Sequence, residues 1–304
     1  MIFFINNSII ETVIKMIYSK NGVCWCGSKK KYKHCHYEFD QKLIQMKMQG
    51  YEVPPKSIIR NQKDIQILRE SAKINTAVLD AVAKKICEGM STQEIDDIVT
   101  EVTHAHHAKC APYRYEGYPK SVCTSINEVV CHGIPDSKRI LKSGDIVNVD
   151  VSTIFKGYFS DASRMFMIGE VSDNARKLVE VTRQALQAGL DALKPWGTLG
   201  DIGHAIQQVA ESNGYNVVRV FGGHGVGKEF HEEPFVAHVG RPNTGMVTAP
   251  GMTFTIEPMI NEGTYDVEID PEDGWTVTTK DKKLSAQWEV MVLVTEDGYE
   301  ILTQ

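Results

Sequence analysis

One amphipathic pattern occurs twice in the chain. From Asp64, apolar Ile65, Leu68, Ala72, Val78, Leu79, Val82 and Ile86 recur at helical spacing, and Gly89 ends the run. Ser91 and Glu94 then stand at capping-box spacing, and Ile95, Ile98, Val99 and Val102 form one face of a second helix. Residues 172–194 repeat the long helix with Val181, Ala185, Leu186 and Leu193, and Gly197 follows it. Thr198 and Asp201 cap the next helix, whose Ile202, Ile206 and Val209 lie 107 positions after Ile95, Val99 and Val102. Alternating strand segments follow each helix pair. An apolar helix face must be covered by another layer, so the pattern predicts a duplicated α+β body with pseudo-twofold symmetry. Such a body has its cleft where the halves meet.

The strand segments carry acids on the face opposite their apolar residues. In Ile146-Val147-Asn148-Val149-Asp150-Val151, the valines share one side and Asn148 and Asp150 the other. A second strand, Tyr158 to Phe166, follows the turn signal at Lys156-Gly157. A hairpin centred between Phe155 and Lys156 sets Asp150 opposite Asp161, with Cβ atoms ~4.5 to 5.5 Å apart. Two facing carboxylates repel, and a cation between them removes the conflict. Downstream, His224 sits among glycines in Gly222-Gly223-His224-Gly225-Val226-Gly227. Glu257 ends the alternating strand Thr253-Phe254-Thr255-Ile256-Glu257, and Glu289 faces away from Val290 and Val292. Any one of these five would pass for a surface residue. Together, four carboxylates and an imidazole form a hard donor set suited to a pair of Mn, Fe, Co or Zn ions.

These segments resemble the five metal-ligand motifs of the type I methionine aminopeptidases: Val149-Asp150-Val151, Phe159-Ser160-Asp161, Gly223-His224-Gly225-Val226-Gly227, Thr255-Ile256-Glu257-Pro258 and Gln287-Trp288-Glu289. Tyr118-Pro119-Lys120-Ser121, Asn127 to Pro135 and Phe230-His231-Glu232-Glu233-Pro234 agree, and the likeness covers roughly residues 58–304. It implies the pita-bread (creatinase/aminopeptidase) fold, two divalent ions, and removal of the initiator methionine from nascent or newly made proteins with small second residues. By the same likeness, Asp161 and Glu289 bridge the ions, Asp150 chelates one, and His224 with Glu257 holds the other. Glu257 is then the proton shuttle, and His132 and His231 hydrogen-bond the scissile peptide and steady its tetrahedral intermediate. Tyr115, Tyr118, Cys123, Phe230 and Trp275 match the family's pocket for the thioether side chain. Val290, where many relatives carry histidine, and Ala111-Pro112 depart from the family pattern without touching a ligand position. His104, His106 and His107 end an amphipathic helix and are expected to face solvent.

Charge divides the chain. Net charge is −6, but residues 1–36 carry +5 and the remainder −11. Within the basic head, Cys24, Cys26, Cys35 and His36 have the spacing C-x-C-x8-C-H, which matches a closed tetrahedral zinc site. Few apolar residues surround it, so zinc would supply most of its folding free energy. The head resembles the SEC-C zinc knuckle, which implies a docking element. Its lysines fit an anionic partner such as ribosomal RNA. Pro54 and Pro55 disfavour helix on both sides, which divides the chain into a 1–53 extension with its linker and a 54–304 metalloaminopeptidase domain.

Seven cysteines in 304 residues are too few for a disulfide scaffold and point to reduced thiols and a cytoplasmic setting. The apolar opening MIFFINNSII lacks a basic flank and a cleavage site, and no run reaches the ~18 residues a membrane span needs. The acidic body excludes binding of nucleic acid through its bulk field, and no sequence-specific nucleic-acid contact is expected. Family likeness implies a monomer. Two other readings are an Xaa-Pro peptidase of the same fold, disfavoured by the short catalytic domain and Cys131-His132-Gly133, and a non-catalytic binder, whose signature would be lost ligands.

Overall fold

The computed structural model describes residues 19–303. The expectation of a short helix or leader over residues 1 to about 20, with the apolar opening, lies outside the described residues except at Ser19 and Lys20. Among the described residues no helix is long and apolar enough to cross a membrane.

After α1 (Tyr37–Met48), the first half consists of α2 (Gln62–Lys85), α3 (Thr92–Ala105), β1 (Lys109–Cys110), β2 (Cys123–Ile126), β3 (Val129–Cys131), β4 (Ile146–Phe155) and β5 (Tyr158–Met167). The second half opens with α4 (Asp173–Ala192) and α5 (Leu199–Ser212). Its strands are β6 (Asn216–Val217), β7 (Gly223–Gly225), β8 (Glu232–Val236), β9 (Thr253–Ile256), β10 (Met259–Asn261), β11 (Val267–Ile269), β12 (Val277–Thr279), β13 (Ser285–Gln287), β14 (Val290–Val294) and β15 (Tyr299–Ile301).

The repeat is a structural one. α2 and α4 end at Lys85 and Ala192, and α3 and α5 each run 14 residues from Thr92 and Leu199, all at the offset of 107. Both short helices are capped alike: the Ser91 N–H donates to Glu94 at 2.7 Å and the Thr198 N–H to Asp201 at 2.9 Å. β4 and β9 begin at Ile146 and Thr253, also 107 apart, so Asp150 and Glu257 occupy equivalent places.

Two main cores form, one around each helix pair, and a smaller cluster joins Ile65, Leu68 and Ala72 of α2 to Met291 and Leu293 of β14. Val147, Val149 and Val151 of β4 are fully buried against Val78, Leu79, Val82, Ile95 and Val99 of α2 and α3. Leu178, Ala185, Ile202 and Ile206 of α4 and α5 pack with Phe254, Ile256 and Val292. Burying each such side chain contributes roughly 1.5 to 3 kcal/mol, which fixes which face of each strand points inward. The opposite face is thereby turned to the junction. There β4 pairs with β5 on one edge and with β1 and β2 on the other, while the second half forms a five-stranded sheet in the order β15-β14-β9-β7-β8. The two sheets are stitched where Ser163 and Glu289 exchange N–H···O bonds of 3.3 Å.

The β4–β5 register corrects the sequence expectation. Asp150 lies opposite Ser163, and Asp161 opposite Ser152. The turn consists of Lys156 and Gly157 with φ of 51° and 81°, so Phe155 pairs with Tyr158 and the hairpin is centred one residue later than expected. Positive φ at both turn residues matches the strands' right-handed twist, which selects this two-residue loop. The shift preserves the side-chain alternation, so Asp150 and Asp161 still share a face. They are diagonal neighbours, with backbone positions roughly 7 to 8 Å apart, rather than directly opposed.

The head is packed onto the second half. Leu43 of α1 is buried in that half's core, the Phe39 ring lies 5.3 Å from the Trp196 ring, and the Val247 N–H donates to the Glu52 carbonyl at 2.9 Å. Buried Asp40 ties the head to the connector, accepting from Trp25 Nε1 at 3.1 Å, the Tyr32 hydroxyl at 2.6 Å and Lys56 Nζ at 2.7 Å.

Candidate metal centre and substrate cavity

The junction between the halves opens into a cavity of about 470 Å3. Asp150, Asp161, His224, Glu257, Glu289, His132, His231, Tyr115, Tyr118, Cys123, Phe230 and Trp275 all line it, so every active-site residue expected from the sequence reaches one space. His104, His106 and His107 are exposed, as anticipated.

His224 is at the centre of the ligand set. Its neighbours must be glycines: a Cβ on Gly225 would stand 2.0 Å from the Glu233 carbonyl oxygen, and one on Gly223 2.3 Å from that of Thr255. Its Nδ1–H donates to the Gly225 carbonyl at 3.0 Å, which leaves Nε2 free, 3.6 Å from Asp161 Oδ2 and 3.7 Å from Glu257 Oε1. One donor atom each from Asp161, His224 and Glu289 lies within 4.8 Å of the other two. Asp161, Glu257 and Glu289 are buried, and Asp150 Oδ1 is buried without a hydrogen-bond partner.

Electrostatics test what such a cluster can hold. Burial, then Asp161 and Glu257, push the Asp150 carboxyl well above its ordinary range. Burial and the same acids do likewise for Glu289, and burial raises Glu257 to about 7. Burial would lower the His224 pKa, but Asp161 and Glu257 outweigh it and raise it. Buried carboxylates that oppose each other's ionisation, an orphaned oxygen and an imidazole with one free nitrogen fit divalent cations. Supporting donors orient the ligands. Ser152 donates to Asp161 at 2.8 Å, and Thr255 and Gln287 donate to Glu257 at 2.7 and 3.1 Å. His238 Nε2 accepts the Glu257 N–H at 3.1 Å.

Two histidines flank this cluster. His132 holds a left-handed φ of 58°, a conformation that costs a non-glycine residue of order 1 to 3 kcal/mol, and its ring meets Phe221 and Trp275 edge-on at 5.8 and 6.2 Å. His231 sits at the exposed mouth with Nδ1 2.9 Å from the Tyr115 hydroxyl and its ring 4.3 Å from those of His224 and Phe230. Desolvation of the ring and nearby His224 push the His231 pKa down to about 4, so it is neutral near pH 7. The apolar end of the cavity has the Tyr118 and Trp275 rings in a T-shape at 5.2 Å, and the Tyr118 hydroxyl donates to the Val122 and Gly133 carbonyls at 3.1 Å each. Cys131, Phe221 and Met259 complete the wall, and sequence reasoning did not select them. It quoted Thr255 and Gln287 within motifs without giving them a role, and it passed over His238. Thr255 was findable, since its position two before Glu257 places it on the same strand face.

In the head, Cys24, Cys26, Cys35 and His36 converge within 4.8 Å. Cys26 and Cys35 sulfurs are 3.6 Å apart, and His36 Nδ1 is 3.2 Å from the sulfurs of Cys24 and Cys35. Tetrahedral zinc with ~2.3 Å bonds spaces its sulfurs about 3.8 Å apart, so the four donors fit that ion.

Comparison with known proteins places these features. The model of metallopeptidase family M24 matches residues 66–296, and the SEC-C motif matches residues 23–38. Methionine aminopeptidase A of Synechocystis is 51% identical over 243 residues, covering 80% of this chain and 96% of the relative. The methionine aminopeptidase of Chlamydia muridarum is 44% identical over 291 residues, covering 93% of this chain and 98% of the relative. The crystal structure of methionine aminopeptidase from Rickettsia prowazekii superimposes with a TM-score of 0.79 at 46% identity, over 81% of this chain and 99% of that one.

Proposed function

The chain belongs to the methionine aminopeptidases of metallopeptidase family M24, with their pita-bread fold and use of divalent metal, and from this we propose that it removes initiator methionine with two ions held by Asp150, Asp161, His224, Glu257 and Glu289. The observation that carries the assignment is the convergence of Asp161, Glu289 and the free Nε2 of His224, beside the partnerless oxygen of Asp150. By the family likeness, Asp161 and Glu289 would be shared between the ions, Asp150 would hold one of them, and His224 with Glu257 would hold the other. The donors suit Mn, Fe, Co or Zn. When bound, such ions supply Lewis acidity and a water acidic enough to attack a peptide near neutral pH.

The protein's own groups do the rest. Tyr115, Tyr118, Cys123, Phe230 and Trp275 enclose the methionine side chain, whose thioether gains from aromatic contacts. Neutral His231 and His132 hydrogen-bond the scissile peptide and the oxyanion that develops there. Glu257 takes the proton released in the attack and passes it to the leaving amine, with Thr255 and Gln287 holding its carboxylate in place. The substrates are nascent or newly made polypeptides with small second residues, met in the cytoplasm by a monomer. Cys24, Cys26, Cys35 and His36 hold one structural zinc in a 1–53 extension to the 54–304 catalytic domain, and the lysines of that extension contact the ribosome. Metal-loaded protein should release methionine from Met-Gly-Ser and no alanine from Ala-Pro-Ser. Cleavage of the second peptide, or silence with both at full metal occupancy, would sink the reading.

A further inference from the structure

A second cavity, of about 430 Å3, adjoins the first, with Glu52, Leu199, Gly200, Glu233, Phe235 and Met246 among its walls. Phe235 lines both cavities. That side chain is 57% exposed, and Val220 at the rim of the active-site cavity is 70% exposed. The ring lies over Gly222, where a Cβ would stand 2.9 Å from it. Glu233 and Phe235 belong to β8, the end strand of its sheet, whose outer edge is unpaired among the described residues. An edge strand beside a groove accommodates an extended peptide. Glu52 and Glu233 are the only charged residues lining the groove, and no Lys, Arg or His lines it among the described residues. Glu52 lies in the connector that follows α1, and its backbone is fixed by the hydrogen bond from Val247 while its side chain is exposed.

We propose that this groove receives the substrate chain past its first three residues, and that Glu52 and Glu233 make the enzyme favour Lys or Arg over Asp or Glu there. The proposal rests on the aminopeptidase reading, which places methionine in the first cavity, and takes the exposed rim at Phe235 as the way out for the rest of the chain. Three or four extended residues span about 10 to 14 Å, and the two cavities share Phe235 as a wall. The connector between head and body thus forms one wall of the substrate site.

The test compares kcat/KM of the full metal-loaded chain for Met-Gly-Ser-Lys-Lys-Ala and Met-Gly-Ser-Glu-Glu-Ala, with Met-Gly-Ser as reference. At low ionic strength the lysine peptide should win by roughly three- to tenfold, a margin that shrinks as salt screens exposed charges. Glu52→Gln combined with Glu233→Gln should bring the ratio to about one, whereas Glu296→Gln, remote from the groove, should leave it in place. Equal rates for the two peptides in the unaltered enzyme, a preference surviving the double substitution, or an equal loss in Glu296→Gln would overturn the proposal. Failure to release methionine from Met-Gly-Ser would instead count against the aminopeptidase reading beneath it.

Discussion

At the residue scale, two of the proposed ligands, His224 and Asp161, are each held through one atom and left open at another. His224 spends Nδ1 on the Gly225 carbonyl and keeps Nε2 free, and Asp161 accepts from Ser152 through Oδ1 while Oδ2 turns toward His224. Asp161→Asn removes the charge of a proposed bridge, so metal binding and methionine release should be lost together. Turnover by that variant with two ions bound would contradict the role, and metal analysis beside a peptide assay decides it. His231 touches Tyr115 and lies beside His224 without belonging to the convergent donor set. His231→Ala should therefore retain its metal while kcat falls about 10²- to 10³-fold, the scale of losing one oxyanion donor. Unchanged kinetics would remove His231 from the mechanism. Strand alternation made the ligands legible in the sequence, because a carboxylate opposite a buried valine face has to point somewhere else. Gln287 and His238 were not legible, because their roles exist only once β9, β13 and the segment after β8 meet around Glu257.

At the element scale, β7 shows how little freedom the site has. Backbone from β8 and β9 closes on both sides of His224, and the Cβ of Gly225→Ala would collide with the Glu233 carbonyl. That substitution should destabilise the protein by about 3 kcal/mol or more and displace His224, so thermal melting and metal affinity should fall together. A normal Tm with normal metal content would refute the crowding. The β4–β5 hairpin shows where sequence reasoning stops. Alternation fixed the face of Asp150 and Asp161, but the pair count depended on which two residues occupy the turn. Lys156 and Gly157 both take positive φ, and that choice opens the carboxylates to a diagonal spacing.

At the scale of the molecule, the offset of 107 runs through helix ends, caps, strand starts and the pair Asp150 and Glu257, so the duplication was readable from Ile95, Val99 and Val102 onward. The seat of the head was not readable, since Leu43 and Phe39 look like ordinary helix residues until the second half's core and Trp196 are beside them. That docking also decides how the head should be tested: deleting it would uncover the core around Leu43, whereas reversing Lys29, Lys30, Lys31 and Lys33 to Glu alters only exposed charge. The reversal should abolish co-sedimentation with ribosomes at low salt and flatten its salt dependence. Undiminished co-sedimentation would exclude these lysines as the contact. The central claim is a two-ion centre that releases methionine. Chelator-stripped protein titrated with Mn or Co should gain Met-Gly-Ser hydrolysis in step with the occupancy of two sites per chain, counted apart from any metal bound by Cys24, Cys26, Cys35 and His36, and full activity in the stripped protein, or metal uptake without any methionine release, would contradict it.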